Sequence, residues 1–224
     1  FNKRTFKGYA KQSCDRRLYL HLGNGREGWT YTDGTPVALE EKTHGQAQTV
    51  VVYGKIFEDQ YFHALCSHDP KHILDSIKTN PQIEIIDTDR GGQTTFHGPG
   101  QIIAYPLLNI KGWGGPHKYI RTLETVIMSV LSDIDIESQT IPGLTGVWIK
   151  NEKIAAIGVK ISRGVAFHGF ALNINTDLSF YSHIIPCGIH DKKVTSLQNI
   201  LGIEYPMDQV KSLIIKHLSE AFDI

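Results

Sequence analysis

Between Val147 and Ile174 the chain sets down three apolar runs in close succession. Val147-Trp148-Ile149 is joined to Lys153–Ile161 by the tight turn Lys150-Asn151-Glu152, and Ala166–Ile174 follows beyond Ser162. Short apolar runs bounded by turn residues read as strands, so a sheet lies at the centre of the fold. The strands carry an unusual number of small residues: Ala155, Ala156, Gly158, Gly169 and Ala171. Side chains of that size let the backbone line a narrow tunnel for an extended apolar ligand.

Other stretches extend the sheet. Leu18–Leu22 alternates like a strand, and Asn24-Gly25 and Asp33-Gly34 mark turns. Val37–Lys42 can open a short helix, Thr49–Tyr53 is a buried strand, His68-Asp69-Pro70 turns the chain, and Lys71–Lys78 is a short helix. Ile83, Ile85 and Ile86 form a strand, and Gln101–Leu108 forms another. After a loop at Gly112–Pro116, Ile120, Leu123, Ile127, Val130, Leu131 and Ile134 fall on one helical face. Ser196 caps a short helix that Gly202 closes, and Pro206 opens a last helix with Val210, Leu213, Ile214 and Leu218 inward. Strands outnumber helices without alternating with them. The expectation is an α+β fold, a mixed sheet flanked by helices.

Residues 36–224 are read as a single catalytic domain behind a basic N-terminal extension, 1–35. Lys3, Arg4, Lys7, Lys11, Arg16 and Arg17 face a single acid, Asp15, in that opening. It reads as a solvated tail or as the remnant of an organelle transit segment. Formal net charge is zero, with 23 basic and 23 acidic residues, which argues against a nucleic-acid binder. No apolar run approaches the ~18 residues of a membrane span. Cys14, Cys66 and Cys187 are an odd set without CxxC spacing, which points away from a disulfide framework or zinc site and towards a reducing compartment.

Cys187 stands between Pro186 and Gly188, a setting in which a thiol can face a cavity; Cys14 and Cys66 read as small buried hydrophobes. Lys153 opens an unbroken apolar strand, which puts its ammonium at the rim of a pocket. A cation beside a thiol stabilises the thiolate, and burial of the amine would let it carry protons. His97 and His168 each stand in Phe-His-Gly; either can form a Cys–His pair or shape a pocket wall through hydrogen bonds to loop carbonyls. Arg90–Gly100 is glycine-rich but has neither the P-loop Gly-Lys-Ser/Thr nor a dinucleotide fingerprint. No histidine spacing suggests a metal, and no cofactor is assigned.

Several motifs together resemble one family. Arg90-Gly91-Gly92-Gln93-Thr94-Thr95-Phe96-His97-Gly98-Pro99-Gly100-Gln101 with Tyr105-Pro106, Gly146-Val147-Trp148, Lys153–Gly158, His168–Asn173 and Pro186-Cys187-Gly188 are similar, in unbroken order, to the octanoyl-[acyl carrier protein]:protein N-octanoyltransferases, or lipoyl(octanoyl) transferases. The likeness covers roughly residues 83–202. It implies a fold like that of biotin and lipoate protein ligases. It also implies octanoyl transfer from acyl carrier protein to a lysine of lipoyl domains of 2-oxoacid dehydrogenases or of the glycine-cleavage H protein, by a monomer without nucleic-acid or membrane partners. Cys187 takes the nucleophile's place and Lys153 that of the motif lysine. Arg90 to His97, Ala156-Ile157-Gly158, and His168-Gly169-Phe170-Ala171 match the stretches that bind the acyl chain and thioester. The family's His-Pro-Pro-Val-Tyr-Thr-like segment has no counterpart at Thr49–Gly54 or His68-Asp69-Pro70. The N-terminal length is closer to organellar than to bacterial relatives. Lys150, Lys160, Arg163, Lys192 and Lys193 could form a basic patch for an acidic carrier protein. Other readings are an ATP-dependent lipoate or biotin ligase, a Cys–His thioester hydrolase, and an acyl-binding module without transfer.

Overall fold

The computed structural model describes residues 90–92, 94–184 and 193–223, together with the pairing of five strands between residues 19 and 87. Those five are β1 (Tyr19–Gly23), β2 (Arg26–Thr30), β3 (Thr49–Val51), β4 (His63–Ser67) and β5 (Ile83–Asp87). Then follow β6 (Thr95–His97), β7 (Gln101–Asn109), α1 (Gly115–Ser132), β8 (Gln139–Ile141), β9 (Leu144–Ile149), β10 (Glu152–Ser162) and β11 (Val165–Asn173). A 3-10 helix (Leu178–His183), β12 (Lys193–Val194), α2 (Leu197–Leu201) and α3 (Met207–Phe222) complete the order. The helices expected at Val37–Lys42 and Lys71–Lys78 and the turn at His68-Asp69-Pro70 lie outside the described residues.

The main sheet runs β3-β7-β11-β10-β9-β8. Neighbours along that path are antiparallel, as hairpin-connected strands permit. β12 pairs parallel with the start of β10, at Glu152↔Lys193 and Lys153↔Val194, on the edge that β11 takes over from Ala155 onward. A smaller sheet, β5-β4-β6, has one parallel and one antiparallel pair, and β1-β2 is a separate antiparallel hairpin. The sheet is thus mixed, as expected.

One face of the main sheet is covered by helices. Ile102, Ala104 and Leu108 of β7, Phe170 and Leu172 of β11, and Ile154 of β10 share a core with Leu123, Val126, Ile127, Val130 and Leu131 of α1 and Val210, Ile214 and Leu218 of α3. Phe222 closes the helix pair, with its ring 5.1 Å from Trp113 and 5.7 Å from Tyr119. The apolar face of α1 is set slightly differently from the expected one: Tyr119 is fully buried whereas Ile120 is only half-buried, and Ile134 packs from beyond the helix end. The helix also begins inside the expected loop. Gly114 takes a left-handed φ of 119° at the N-cap and Pro116 sits in the first turn, where its missing N–H costs nothing.

Candidate active site

On the sheet face turned away from α1 and α3 lies a cavity of about 260 Å³, just below the ~300–1,000 Å³ common for small-molecule sites. Its floor follows from strand register. Ala156 pairs with Ala171 and Gly158 with Gly169 across β10 and β11, so four small residues form one patch. Their alternating neighbours Ile157 and Phe170 serve the helix-side core. The chain ahead of β6 covers one side of this patch. Gly91 N–H donates to the Val159 carbonyl at 3.0 Å, which ties residues 90–92 over β10. Only glycine permits that approach at position 158, because a Cβ there would lie 2.8 Å from Arg90 Cδ and 2.9 Å from the Gly91 carbonyl.

Of the residues proposed from sequence, Arg90, Gly92, Thr94, Thr95, His97, Lys153, Ala156, Ile157, Gly158, Gly169, Phe170 and Ala171 line this cavity. Three do not. Gly91 serves through its backbone. Phe96 is buried behind the wall, stacked on Phe180 at 5.0 Å and edge-on to Tyr181 at 5.5 Å. His168 is buried and meets Tyr105 edge-on at 5.4 Å, so it supports a lining residue and is not one itself. It holds a left-handed φ of 58° in mid-strand, a conformation that strains a side-chain-bearing residue. Gln93 and Cys187 lie outside the described residues. Tyr105, Gly143, Leu144 and Thr145 also line the cavity and were not expected to.

Lys153 sits deeper than the rim position expected, only 6% exposed. Both edges of its strand are paired, with Trp148 of β9 on one side and Val194 of β12 on the other. Its own carbonyl accepts from Thr195 N–H at 2.9 Å. The ammonium donates to the Thr145 carbonyl at 3.1 Å and rests 4.7 Å from the centre of the Trp148 ring, a cation–π contact. The next residue, Gly146, donates its N–H to the fully buried Glu124 carboxylate at 3.0 Å, and Arg121 pairs with the same carboxylate. Helix α1 thus fixes the start of β9, whose Thr145 carbonyl holds Lys153. A second cleft, about 10 Å³, shares Thr94, Thr95, Lys153 and Ala156 with the main cavity and is bordered by Tyr181 and Val194.

The basic residues near the site in sequence do not converge on one patch. Lys150 and Lys193 stand at the start of β10, whereas Lys160 and Arg163 stand at its far end. An eleven-residue strand separates the two groups, roughly 30 Å at the usual rise. Lys192 lies outside the described residues.

His97 is the most perturbed titratable group facing the cavity. Burial pushes its pKa down from 6.5 to about 4, the nearby Arg90 guanidinium and the His168 ring push the same way, and its bond to Gln101 opposes them. The unfolded chain therefore binds a proton between pH 6.5 and 4 that the fold refuses, so stability falls as pH drops through that window. At ~1.4 kcal/mol per unit the loss is about 3 kcal/mol. Thermal midpoints measured across this range are expected to fall steeply, and less steeply in His97→Asn. Parallel slopes for the two proteins would exclude His97 as the source.

The lipoyl protein ligase A/B catalytic-domain model matches residues 67–219. The chain belongs to that family. Within it, an octanoyltransferase of Solibacter usitatus is 45% identical over 150 residues, covering 66% of this chain and 67% of its own. An octanoyltransferase of Flavobacterium johnsoniae is 48% identical over 142 residues, covering 60% and 61%. The chain thus spans about three fifths to two thirds of the length of these relatives. Among solved structures, a bipartite lipoate protein ligase of Thermoplasma acidophilum superposes with a TM-score of 0.56 at 16% identity, over 73% of this chain and 68% of its own. At that identity the likeness establishes the fold alone, the α+β arrangement shared with lipoate ligases.

Proposed function

We propose that this protein is an octanoyltransferase, moving an octanoyl group from acyl carrier protein to a lysine of a lipoyl domain through a thioester on Cys187, as a step of lipoate biosynthesis. The observation that carries this reading is the position of Lys153. Its buried ammonium borders both the small-residue cavity and the cleft walled by Tyr181 and Val194. In sequence, Tyr181 precedes Cys187 and Val194 follows it. The names of the relatives, octanoyltransferases at 45% and 48% identity, support the same reaction.

The chemistry balances without ATP. The Cys187 thiolate attacks the octanoyl thioester, a new C–S bond forms, and the carrier's phosphopantetheine thiol leaves, taking up a proton. The amine of the acceptor lysine then attacks the acyl-enzyme. Its C–N bond forms as the C–S bond to Cys187 breaks, and Lys153 relays the proton the amine gives up. Thioester to thioester is nearly isoenergetic and thioester to amide runs downhill. The floor of Ala156, Gly158, Gly169 and Ala171 gives the acyl chain an apolar bed. A hydrolytic Cys–His pair needs an imidazole that accepts a proton near neutrality, and His97, with its pKa near 4, is a weak base for that task.

The test is mass spectrometry of the protein after incubation with octanoyl-acyl carrier protein alone. The expected result is an octanoyl adduct on Cys187, formed without ATP and discharged by a lipoyl domain. Transfer that needs ATP and free octanoate would establish a ligase instead, and release of free octanoate a hydrolase.

A further inference from the structure

Behind the cavity, Gln101 is fully buried at the start of β7 and bonds in four directions. Its Nε2 lies 3.2 Å from the Phe96 carbonyl, 2.8 Å from Asn173 Oδ1 and 2.9 Å from the Tyr181 hydroxyl. A backbone carbonyl can only accept, so the atom facing Phe96 must be the amide nitrogen. Asn173 is fixed by the same logic, since its Nδ2 donates to the Thr195 carbonyl at 3.0 Å and leaves Oδ1 as the acceptor. The Tyr181 hydroxyl then donates to Asn173 Oδ1 at 3.3 Å. What remains of Gln101 is Oε1, an acceptor, 3.2 Å from His97 Nδ1. Only a protonated Nδ1 completes this bond.

We propose that Gln101 is a positioning residue that holds His97 as its Nδ1–H tautomer, so that Nε2 offers a lone pair to an N–H of the substrates in the cavity. His97 lines the cavity, whereas Gln101 does not. The charged and titratable groups around His97 oppose a second proton. Arg90 and His168 act on it directly, its bond to Gln101 works against them, and Lys153 lines the same cavity. Tyr105 lines the cavity, and the Tyr181 hydroxyl is engaged in the network behind it. Burial is the largest cause, and the ring stays neutral at working pH. A neutral imidazole of such low basicity orients a donor and does not deprotonate it. The inference rests on the octanoyl-transfer reading for the source of that N–H, which is either an amide of the phosphopantetheine arm or the amine of the acceptor lysine. The tautomer itself does not depend on that reading.

Three measurements on the full chain test it. Nitrogen-15 spectra of the histidine-labelled protein without substrate should show His97 protonated at Nδ1 and bare at Nε2 near pH 7; the opposite tautomer overturns the proposal whatever the enzyme's activity. Gln101→Glu puts a carboxylate beside Nδ1 that draws a second proton onto the ring, while also removing the donor to Phe96 and Asn173. Its transfer rate is expected to fall about tenfold or more near pH 7 and to recover as pH rises, for the loss of roughly one hydrogen bond. A loss that is the same at every pH would mean that Gln101 is merely structural and would overturn the proposal. His97→Asn retains a donor toward Gln101 but lacks Nε2. It should raise KM about tenfold for one substrate while leaving the pH profile unchanged. A rise for octanoyl-acyl carrier protein assigns the N–H to its arm, and a rise for the lipoyl domain assigns it to the lysine. Unchanged KM for both overturns the proposal. If wild-type protein transfers no octanoyl group, the functional reading fails while the spectra still decide the tautomer.

Discussion

Replacing Lys153 by methionine is expected to lower kcat for octanoyl transfer by about 10²- to 10⁴-fold, the usual contribution of a positioned proton carrier. The fold should survive. Methionine has similar length, and its sulfur is compatible with the Trp148 face on which the lysine lies. The substitution leaves the Thr145 carbonyl without its ammonium partner, a cost of about 1–3 kcal/mol. Circular dichroism should therefore still report a folded protein at 25 °C while steady-state assays show the loss. A second variant separates charge from proton transfer. Arginine keeps the positive charge but cannot give up its proton. Lys153→Arg is expected to form the Cys187 adduct yet to discharge it to the lipoyl domain far more slowly than wild type. If the methionine variant kept kcat within a few-fold of wild type, Lys153 would be a packing residue and the transfer mechanism would need another proton carrier.

The parts of the fold that could be seen in the sequence are those where burial and periodicity coincide. Strand β11 is buried along its whole length, β10 carries an apolar run that is buried at Lys153–Ala155 and half-buried beyond, and α1 writes its apolar face at three- and four-residue steps. Strands β6 and β8 were invisible for a physical reason. Each is three residues long, and Thr95-Phe96-His97 and Gln139-Thr140-Ile141 owe their extended form to partners on β4 and β9, not to their own composition. The same distinction divides the site. Lys153, Arg90 and His97 were legible because their side chains are ionisable and stand within recognisable motifs. Thr145 was not, because it acts through a carbonyl that any residue possesses. The available clue was the pair of glycines around it, Gly143 in the turn before β9 and Gly146 within it, both at positive φ. Phe96 and His168 show the converse. Membership of a motif identified them, but their rings pack behind the wall against Tyr181 and Tyr105. A motif marks the neighbourhood of a site, and contacts decide which of its members face the ligand.

Gly169→Ala is expected to destabilise the protein by about 3 kcal/mol or more, at the top of the range for overpacking. The reason is the direction in which a methyl would point. A Cβ at this position falls 2.2 Å from the Ala104 carbonyl oxygen and 2.7 Å from Pro106 Cδ, both on the neighbouring strand β7. Neither atom belongs to a flexible side chain, so relief requires β7 and β11 to separate. Those strands share register from Val165↔Asn109 to Asn173↔Gln101, and β7 carries Gln101 at its start. Separation would therefore strain the hydrogen bonds joining Gln101 to Asn173 and His97 as well as the cavity floor. For a chain of this size ~3 kcal/mol corresponds to a fall in Tm of about 6–12 °C. Calorimetry on the purified variant measures it directly. Gly158→Ala provides the contrast, because its methyl would meet mainly the Arg90 side chain and the Gly91 carbonyl, which cover the cavity. Gly158→Ala should raise KM for the acyl donor with a smaller change in Tm. Equal effects of the two substitutions on Tm would show that the 90–92 segment is as integral to the sheet as β7, and that the cavity is walled by the fold itself without a separately held cover.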